Sequence, residues 1–279
     1  MIDPSSMSGR AQPREERDLF VSAGNRHLIA CDNISSISEG FADSFCRIAT
    51  GGSFSARALH TDADESILSA LKPLLLNGIP SSIISRPDLA SRALSLELAR
   101  LPVRRAEKDL IADYERALPG LLGLACDGLS SALRNLAGTT LADDVRMIDA
   151  ATWAEAAAVG LGIPPGRITA AWVANRTAAD RALVESDDLA LAVVALIEAE
   201  HNLTGRAEWR GSPVDLYRKL CADHASDSTK RSPQWPRSAS GMGTRLRRLA
   251  PPLRVVHGID ASPGKGGADS ARFWVLRRV

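Results

Sequence analysis

Between Arg104 and about Ser186 the chain carries one sustained helical pattern, and no other feature narrows the fold as far. Breakers near positions 119, 138 and 162–166 cut the pattern into separate helices. Trp153 and Trp172 fall inside it and read as core residues. Aromatic residues make up only 4% of the chain, while alanine and leucine are abundant, so helix should dominate throughout. At 279 residues there is room for two or three domains of roughly 100–200 residues each. Hydrophobic residues at 45% and charged residues at 24% are ordinary for a globular protein. No apolar run reaches the ~20 residues of a membrane span, and the polar start "MIDPSSMSGRAQPREERD" is no signal peptide. The four cysteines, Cys31, Cys46, Cys126 and Cys221, form no CxxC pair and read as reduced core residues of a cytoplasmic protein.

The flanks of the helical tract read differently. Before it, a short helix is expected over "REERDLFVSA" and a buried strand over 27–31. A helix follows over 38–49, with Ser38 as N-cap and Gly51 past its end. Strands are expected at 53–60 and 72–78, the second buried and stopped by Asn77-Gly78. "LASRALSLELARLP" reads as a short helix and a third strand closed by Pro102. After the tract comes a helix over 186–202 capped by Ser186, then a short extended piece and a helix with Pro213 at its first position. "SASGMGTRLRRLAPPL" reads as a helix stopped by Pro251, and the end reads as two strands around a Gly-rich loop. No internal repeat is present. The fold class is α/β and helix-rich.

The net charge of +1 conceals an uneven distribution. Residues 205–279 hold 15 lysines and arginines against 6 acids, so this end is suited to a polyanion. Its order of helix, short strand, helix, loop, helix and hairpin is that of a winged helix-turn-helix. In such folds the last helix enters the major groove and the hairpin touches the adjacent backbone. Leu246 and Leu249 should face the core, with Arg245, Arg247 and Arg248 outward. Lys265 and Arg272 lie in and beside the wing, where arginine and lysine suit phosphate. A protein-binding module is the competing reading.

"RHLIACDNIS" raises a second possibility. A buried strand that ends on a carboxylate, here Asp32, is how many nucleotide hydrolases hold magnesium. The neighbour that often polarises the attacking water is Asn33 here, not an acid. The plain alternative is that Asp32 and Asn77 cap strand ends. Other constellations fail: the five histidines have no ligand spacing, "HTDADE" reads as an exposed acidic loop, and no nucleophile elbow is present.

The segment 45–79 resembles the superfamily 3 helicases of viruses and mobile elements, which belong to the AAA+ class. "RIATGGSFSAR" stands in register with their (apolar)-Lys-x-x-Thr-Gly-Gly-Asp-x-(apolar)-x-Ala-Arg motif. Arg47 takes the basic position, Thr50-Gly51-Gly52 and Ala56-Arg57 match, and Ser53 replaces the Asp. "KPLLLNG" resembles the sensor strand, with Asn77 in the polar position. "RPDLASRALSLEL" resembles the segment whose arginine reaches the next subunit's nucleotide; Arg92 matches it best, with Arg86 second. "DPSSMSGRAQPREERDL" and "TRLRRLAPPL" bring the chain nearest to ATP-binding primase-helicase proteins of phages and integrated elements.

The resemblance implies ATP and Mg²⁺ as cofactors, with Asp32 holding the metal and Asn77 orienting water or the γ-phosphate. It implies that Arg92 acts across a subunit boundary of a homo-oligomeric ring. Arg47 and Arg57 would lie near the DNA channel or the nucleotide. One departure counts most: the chain has no G-x-x-G-x-G-K-[ST], and "SPGKGGADS" is no substitute because it lacks Lys-Ser/Thr and a following helix. Three parts are therefore expected: a partial AAA+ P-loop ATPase core at 1–103, a helical region at 104–186, and a winged helix at 187–279. The expected function is that of a C-terminal fragment of an ATP-dependent DNA helicase or translocase from a phage or integrated element. Such a fragment would be ATPase-deficient alone. The alternative is a non-enzymatic DNA-binding or protein-interaction module.

Overall fold

Helices take most of the described chain because its leucines and alanines recur at helical spacing, and the strands are short. The computed structural model describes residues 11–57, 65–78, 86–266 and 271–279. Contacts divide the chain into two compact units, neither continuous in sequence. One takes Met1–Ala30, Arg47–Leu75 and Ser91–Arg176; the other takes Cys31–Cys46, Leu76–Ala90 and Thr177–Val279.

In the first unit, helix α1 (Glu16–Gly24) buries Leu19, Phe20 and Ala23. Strands β2 (Gly52–Arg57) and β3 (Glu65–Ala70) form an antiparallel hairpin with Gly52 opposite Ala70. Phe20 of α1 stacks on Phe54 of β2, ring centroids 5.7 Å apart. The expected strand at 53–60 thus starts one residue early, and its partner β3 was not foreseen. Most of "HTDADE" lies outside the described residues. Helix α4 (Glu107–Asn135) is 29 residues long and buries only Gly128, Ser131 and Ala132. Ser131 donates to the Ala156 carbonyl of α5 (Ile148–Ala158) and accepts from the Gly160 N–H, both at 2.9 Å. Helix α6 (Arg167–Ser186) begins in this unit.

The strand expected after "LASRA" does not form. Residues 93–101 take no regular structure, although Leu94, Leu96 and Leu98 alternate as a strand would require. A ladder needs a partner strand, and here the Asn175 side chain stands in for one. Its Oδ1 accepts from the Ser95 N–H at 2.9 Å and its Nδ2 donates to the Ser95 carbonyl at 2.6 Å. Leu98 is left 93% exposed.

In the second unit, α2 (Glu39–Thr50) begins as expected, with Ser38 Oγ accepting from the Phe41 N–H at 3.4 Å. Only its first eight residues, to Cys46, lie in this unit. Gly51 follows the helix at φ +85°, a conformation open to glycine. Short helix α3 (Pro87–Ala90) follows later in the chain.

The unit's core is built by residues between Leu183 and Leu276. Helix α7 (Asp188–Thr204) buries Leu189, Ala190, Ala192, Val193, Val194, Leu196 and Ile197. Strand β5 (Glu208–Gly211), helix α8 (Pro213–Asp223), short α9 (Asp227–Arg231) and long α10 (Ala239–His257) follow, then the hairpin β6 (Ile259–Gly266) and β7 (Ala271–Arg278). The sheet order is β5-β7-β6, antiparallel throughout. Pro213 opens α8 behind the N-cap Ser212, as its sequence position predicts.

Strands β1 (Ile29–Ile34) and β4 (Leu74–Gly78) form a two-stranded sheet, and each begins in the first unit and ends in the second. The Ile29 N–H donates to Pro73, and further along Asn77 reaches Asp32, so both strands advance in one direction. β4 is not the buried strand expected, because Leu75 is exposed and the other residues alternate.

Four local expectations need correction. Asp187, not Ser186, caps α7, accepting from the N–H groups of Leu189 and Ala190. Helix α10 runs through Pro251 and Pro252 to His257, and α4 runs through Pro119. Each proline removes the donor for the carbonyl four residues back. Those carbonyls belong to Arg247, Arg248 and Glu115. Cys31 and Cys46 are buried, but Cys126 is exposed on α4, and all four cysteines are free. Trp153 is 40% exposed rather than core.

Candidate nucleic-acid interface

Helix α10 presents two faces. Met242, Gly243, Leu246, Leu249 and Leu253 are buried, as the spacing of Leu246 and Leu249 predicts. Ser240, Gly241, Thr244, Arg247 and Arg248 are exposed and recur at i, i+1, i+4, i+7 and i+8, one outward stripe of a 3.6-residue helix. Two hydroxyls and two guanidinium groups therefore share a solvent-facing line over two turns. The hydroxyls were missed in the sequence, although the helical period that places the arginines also places them. Arg247 lies over the Trp274 ring at 5.9 Å from its centroid.

Arg245 is not on that stripe. Its Nη2 meets Asp187 Oδ2 at 2.6 Å, its Nε meets the same oxygen at 3.2 Å, and Nη1 donates to the Gln234 carbonyl. Asp187 is buried and also caps α7, so this guanidinium locks the start of α7 against α10. The reason is geometric. At ~100° per residue Arg245 lies about 200° from Arg247 but only about 60° from Arg248, so it stands at the margin of the stripe, where the Asp187 carboxylate is within reach.

Arg272 is exposed on β7, and its backbone stands opposite Lys265 in the hairpin register. The side chain of Lys265 lies outside the described residues. On the outer face of the same sheet, Arg210 is stacked over the Phe273 ring at 4.3 Å.

Asp32 forms a second constellation, although β1 runs on to Ile34, so the carboxylate lies inside the strand and not, as expected, at its end. Asp32 Oδ1 accepts from Asn77 Nδ2 at 2.7 Å and from the Asn33 N–H at 2.9 Å. Asn33 adopts φ +55°, the left-handed region that asparagine tolerates better than most residues. Asp32, Asn33 and Asn77 are thus brought together, and all three are exposed. Among the described residues no group of three or more histidines, cysteines and acids could hold a metal ion. Magnesium often takes one or two carboxylates and completes its shell with water and phosphate, so Asp32 fits as a single ligand beside a bound phosphate.

The remaining predicted residues sit elsewhere. Arg92 is half-buried and belongs to the other compact unit from Asp32 and Asn77. Arg86, the second choice for that role, bridges Asp43 and Asp88 at 3.0 Å. Burial pushes the Asp88 carboxyl up, but the Arg86 hydrogen bonds and the Arg86 and Arg248 charges bring it below the usual range. Arg47 pairs with Glu16, donates to the Ser53 carbonyl at 3.3 Å and lies over Phe20. The Arg57 backbone pairs with Glu65, and its side chain lies outside the described residues. No helix among the described residues is long and apolar enough to cross a membrane.

Two family models match the chain. Residues 1–165 match the actinomycete integrative conjugative element replication protein family. Residues 189–279 match the C-terminal domain of the RepA protein of such elements. No curated protein and no solved structure matches it. The chain belongs to this family of mobile-element replication proteins, which upholds the expectation of replication in an integrated element at the level of the family.

Proposed function

We propose that this replication protein binds duplex DNA through a winged helix-turn-helix formed by residues 187–279. The carrying observation is the outward stripe Ser240, Thr244, Arg247 and Arg248 on α10, whose opposite face is anchored in the core. The order of helix, strand, helices and hairpin, with sheet order β5-β7-β6, supports the same reading. On this account α10 lies along the major groove, the arginines and hydroxyls meet phosphates and base edges, and the hairpin with Lys265 and Arg272 follows the neighbouring backbone. The excess of basic residues over 205–279 supplies the attraction to a polyanion.

The test is duplex binding by the full chain. Arg247→Ala with Arg248→Ala should weaken binding at least about tenfold. Arg245→Met should lower stability with little effect on affinity, because that side chain is committed to Asp187. Equal affinity in the native chain and the double variant removes α10 from the interface.

A second reading is favoured by the Asp32–Asn77 hydrogen bond at 2.7 Å. A carboxylate and an amide facing each other on paired strands are the parts a superfamily 3 helicase core would place around its nucleotide. In that case residues 1–103 are a partial AAA+ core, 104–186 a helical region, and the assembly a ring with Arg92 facing a neighbouring subunit. Asp32 would hold Mg²⁺, which supplies charge neutralisation on the phosphates. Asn77, expected to orient water or the γ-phosphate, would here orient the Asp32 carboxylate as well, through the bond from its Nδ2. The chain contains no phosphate-cradling G-x-x-G-x-G-K-[ST], so turnover by this chain alone should be weak or nil. ATP turnover abolished by Asp32→Ala would support this core; turnover indifferent to that change would remove Asp32 from it.

A further inference from the structure

The glycine run "SPGKGG" found no use as a phosphate loop, and the structure gives it another. Gly264 and Gly266 stand on β6 opposite Phe273 and Ala271 of β7. A side chain at 264 would overlap the Phe273 ring, and a Cβ at 266 would lie 3.1 Å from it. The glycines therefore let the ring lie flat on the strand. Trp274 and Leu276 face the core, so Phe273 belongs to the outer face of the sheet, where it is only half-buried. The exposed Arg210 guanidinium covers that ring at 4.3 Å. The result is a layered stack of glycine backbone, aromatic ring and planar cation, with the cation toward solvent.

We propose that the Arg210–Phe273 stack is a platform for an unpaired base of single-stranded DNA. The proposal rests on the DNA-binding reading above and adds a second ligand form to it. A guanidinium backed by a ring is held planar, offers its free face to any base, and attracts the flanking phosphates. A duplex hides its base faces, so the occupant must be a separated strand. On this outer face Glu208 stands one pleat from Arg210 along β5, while Arg272 alternates to the other face with Trp274; Glu208 and Asp260 both stand opposite Arg277, toward the end of the sheet away from the hairpin tip. Asp260 is there drawn to Arg254 and Arg277 at 3.7 and 3.8 Å. A protein that must keep strands apart during replication would gain a contact that recognises only the opened form.

The experiment uses the full chain, a thymidine oligonucleotide carrying one 2-aminopurine, and a duplex of ordinary sequence. Stacking quenches 2-aminopurine fluorescence, so native protein should bind the single strand and quench the probe. Arg210→Lys keeps the charge and removes the plane. It should lower single-strand affinity about tenfold and abolish the quench, with duplex affinity unchanged. Phe273→Leu should do the same by removing the backing ring. Unchanged affinity and quench in Arg210→Lys overturn the proposal. A native chain that binds duplex but no single strand overturns it as well and leaves the α10 reading intact. Binding of neither form ends both.

Discussion

Helices α4 and α7 are both rich in leucine and alanine, yet they meet opposite fates. α7 is 17 residues long and buries seven of them, including Val193, Leu196 and Ile197. α4 is 29 residues long and buries three small ones, leaving Ile111, Leu122, Leu124, Leu129 and Leu133 exposed. Apolar content decides that a segment can be buried; neighbouring elements decide whether it is. Around α7 stand α8, α10 and the hairpin, each with an apolar face turned toward it. Of α4 only Gly128, Ser131 and Ala132 are fully buried, and Ser131 ties the helix to α5. Burial is the dominant favourable term in folding, so stability should concentrate in the C-terminal core.

The largest expected effect tests that contrast directly. Leu246→Ala leaves a cavity in a fully buried site and should cost about 2–5 kcal/mol in denaturant unfolding. A loss below about 1 kcal/mol would mean that this core is loose. Next, Asp187→Ala removes the cap of α7 and strands the Arg245 charge, for about 3 kcal/mol. A charge-neutral double variant, Asp187→Ala with Arg245→Met, should recover part of that loss.

The first unit has one tightly held polar position that sharpens the comparison. Glu155 is buried and accepts from the Thr169 hydroxyl and N–H, both at 2.8 Å, and from the Gly166 N–H at the start of α6. Burial pushes its pKa up, but the bonds from Thr169 and Gly166 outweigh it and hold the carboxyl below the usual glutamate range. The carboxylate form is thus favoured by folding. Its contribution is present above the unfolded pKa and is lost as pH falls through the lowered folded one. Glu155→Gln should cost about 2 kcal/mol at neutral pH and flatten the stability profile across that acid window. Equal pH profiles in native and variant would contradict this. The smallest effect is expected from Leu122→Ala on α4, within about 0.5 kcal/mol, because that side chain is half exposed already.

These regions also differ in how far the sequence disclosed them. The C-terminal elements were legible in their order and in some of their boundaries: Ser212-Pro213 opens α8, whereas Ser186 gave a false cap and Pro251 a false stop to a helix that Gly258 closes at φ +65°. The two-residue step, about 200°, that separates Arg245 from Arg247 could be read from the helical period, but the attraction of Asp187, 58 residues away, could not. In the N-terminal half, β3 was hidden because "ESILSA" becomes a strand only beside β2. Leu94, Leu96 and Leu98 misled for the converse reason: they alternate correctly and lack a partner strand. Asp32 and Asn77 were each expected at a strand end; β1 runs past Asp32 to Ile34, and the direct hydrogen bond between two side chains 45 residues apart is something no local pattern carries.

The most direct test of the account is the salt dependence of duplex DNA binding by the full chain, native and with Arg247→Ala and Arg248→Ala together. The account predicts that the logarithm of affinity falls linearly with the logarithm of salt, and that the double variant has a slope shallower by about two. Affinity insensitive to salt, or identical slopes in the two proteins, would contradict it.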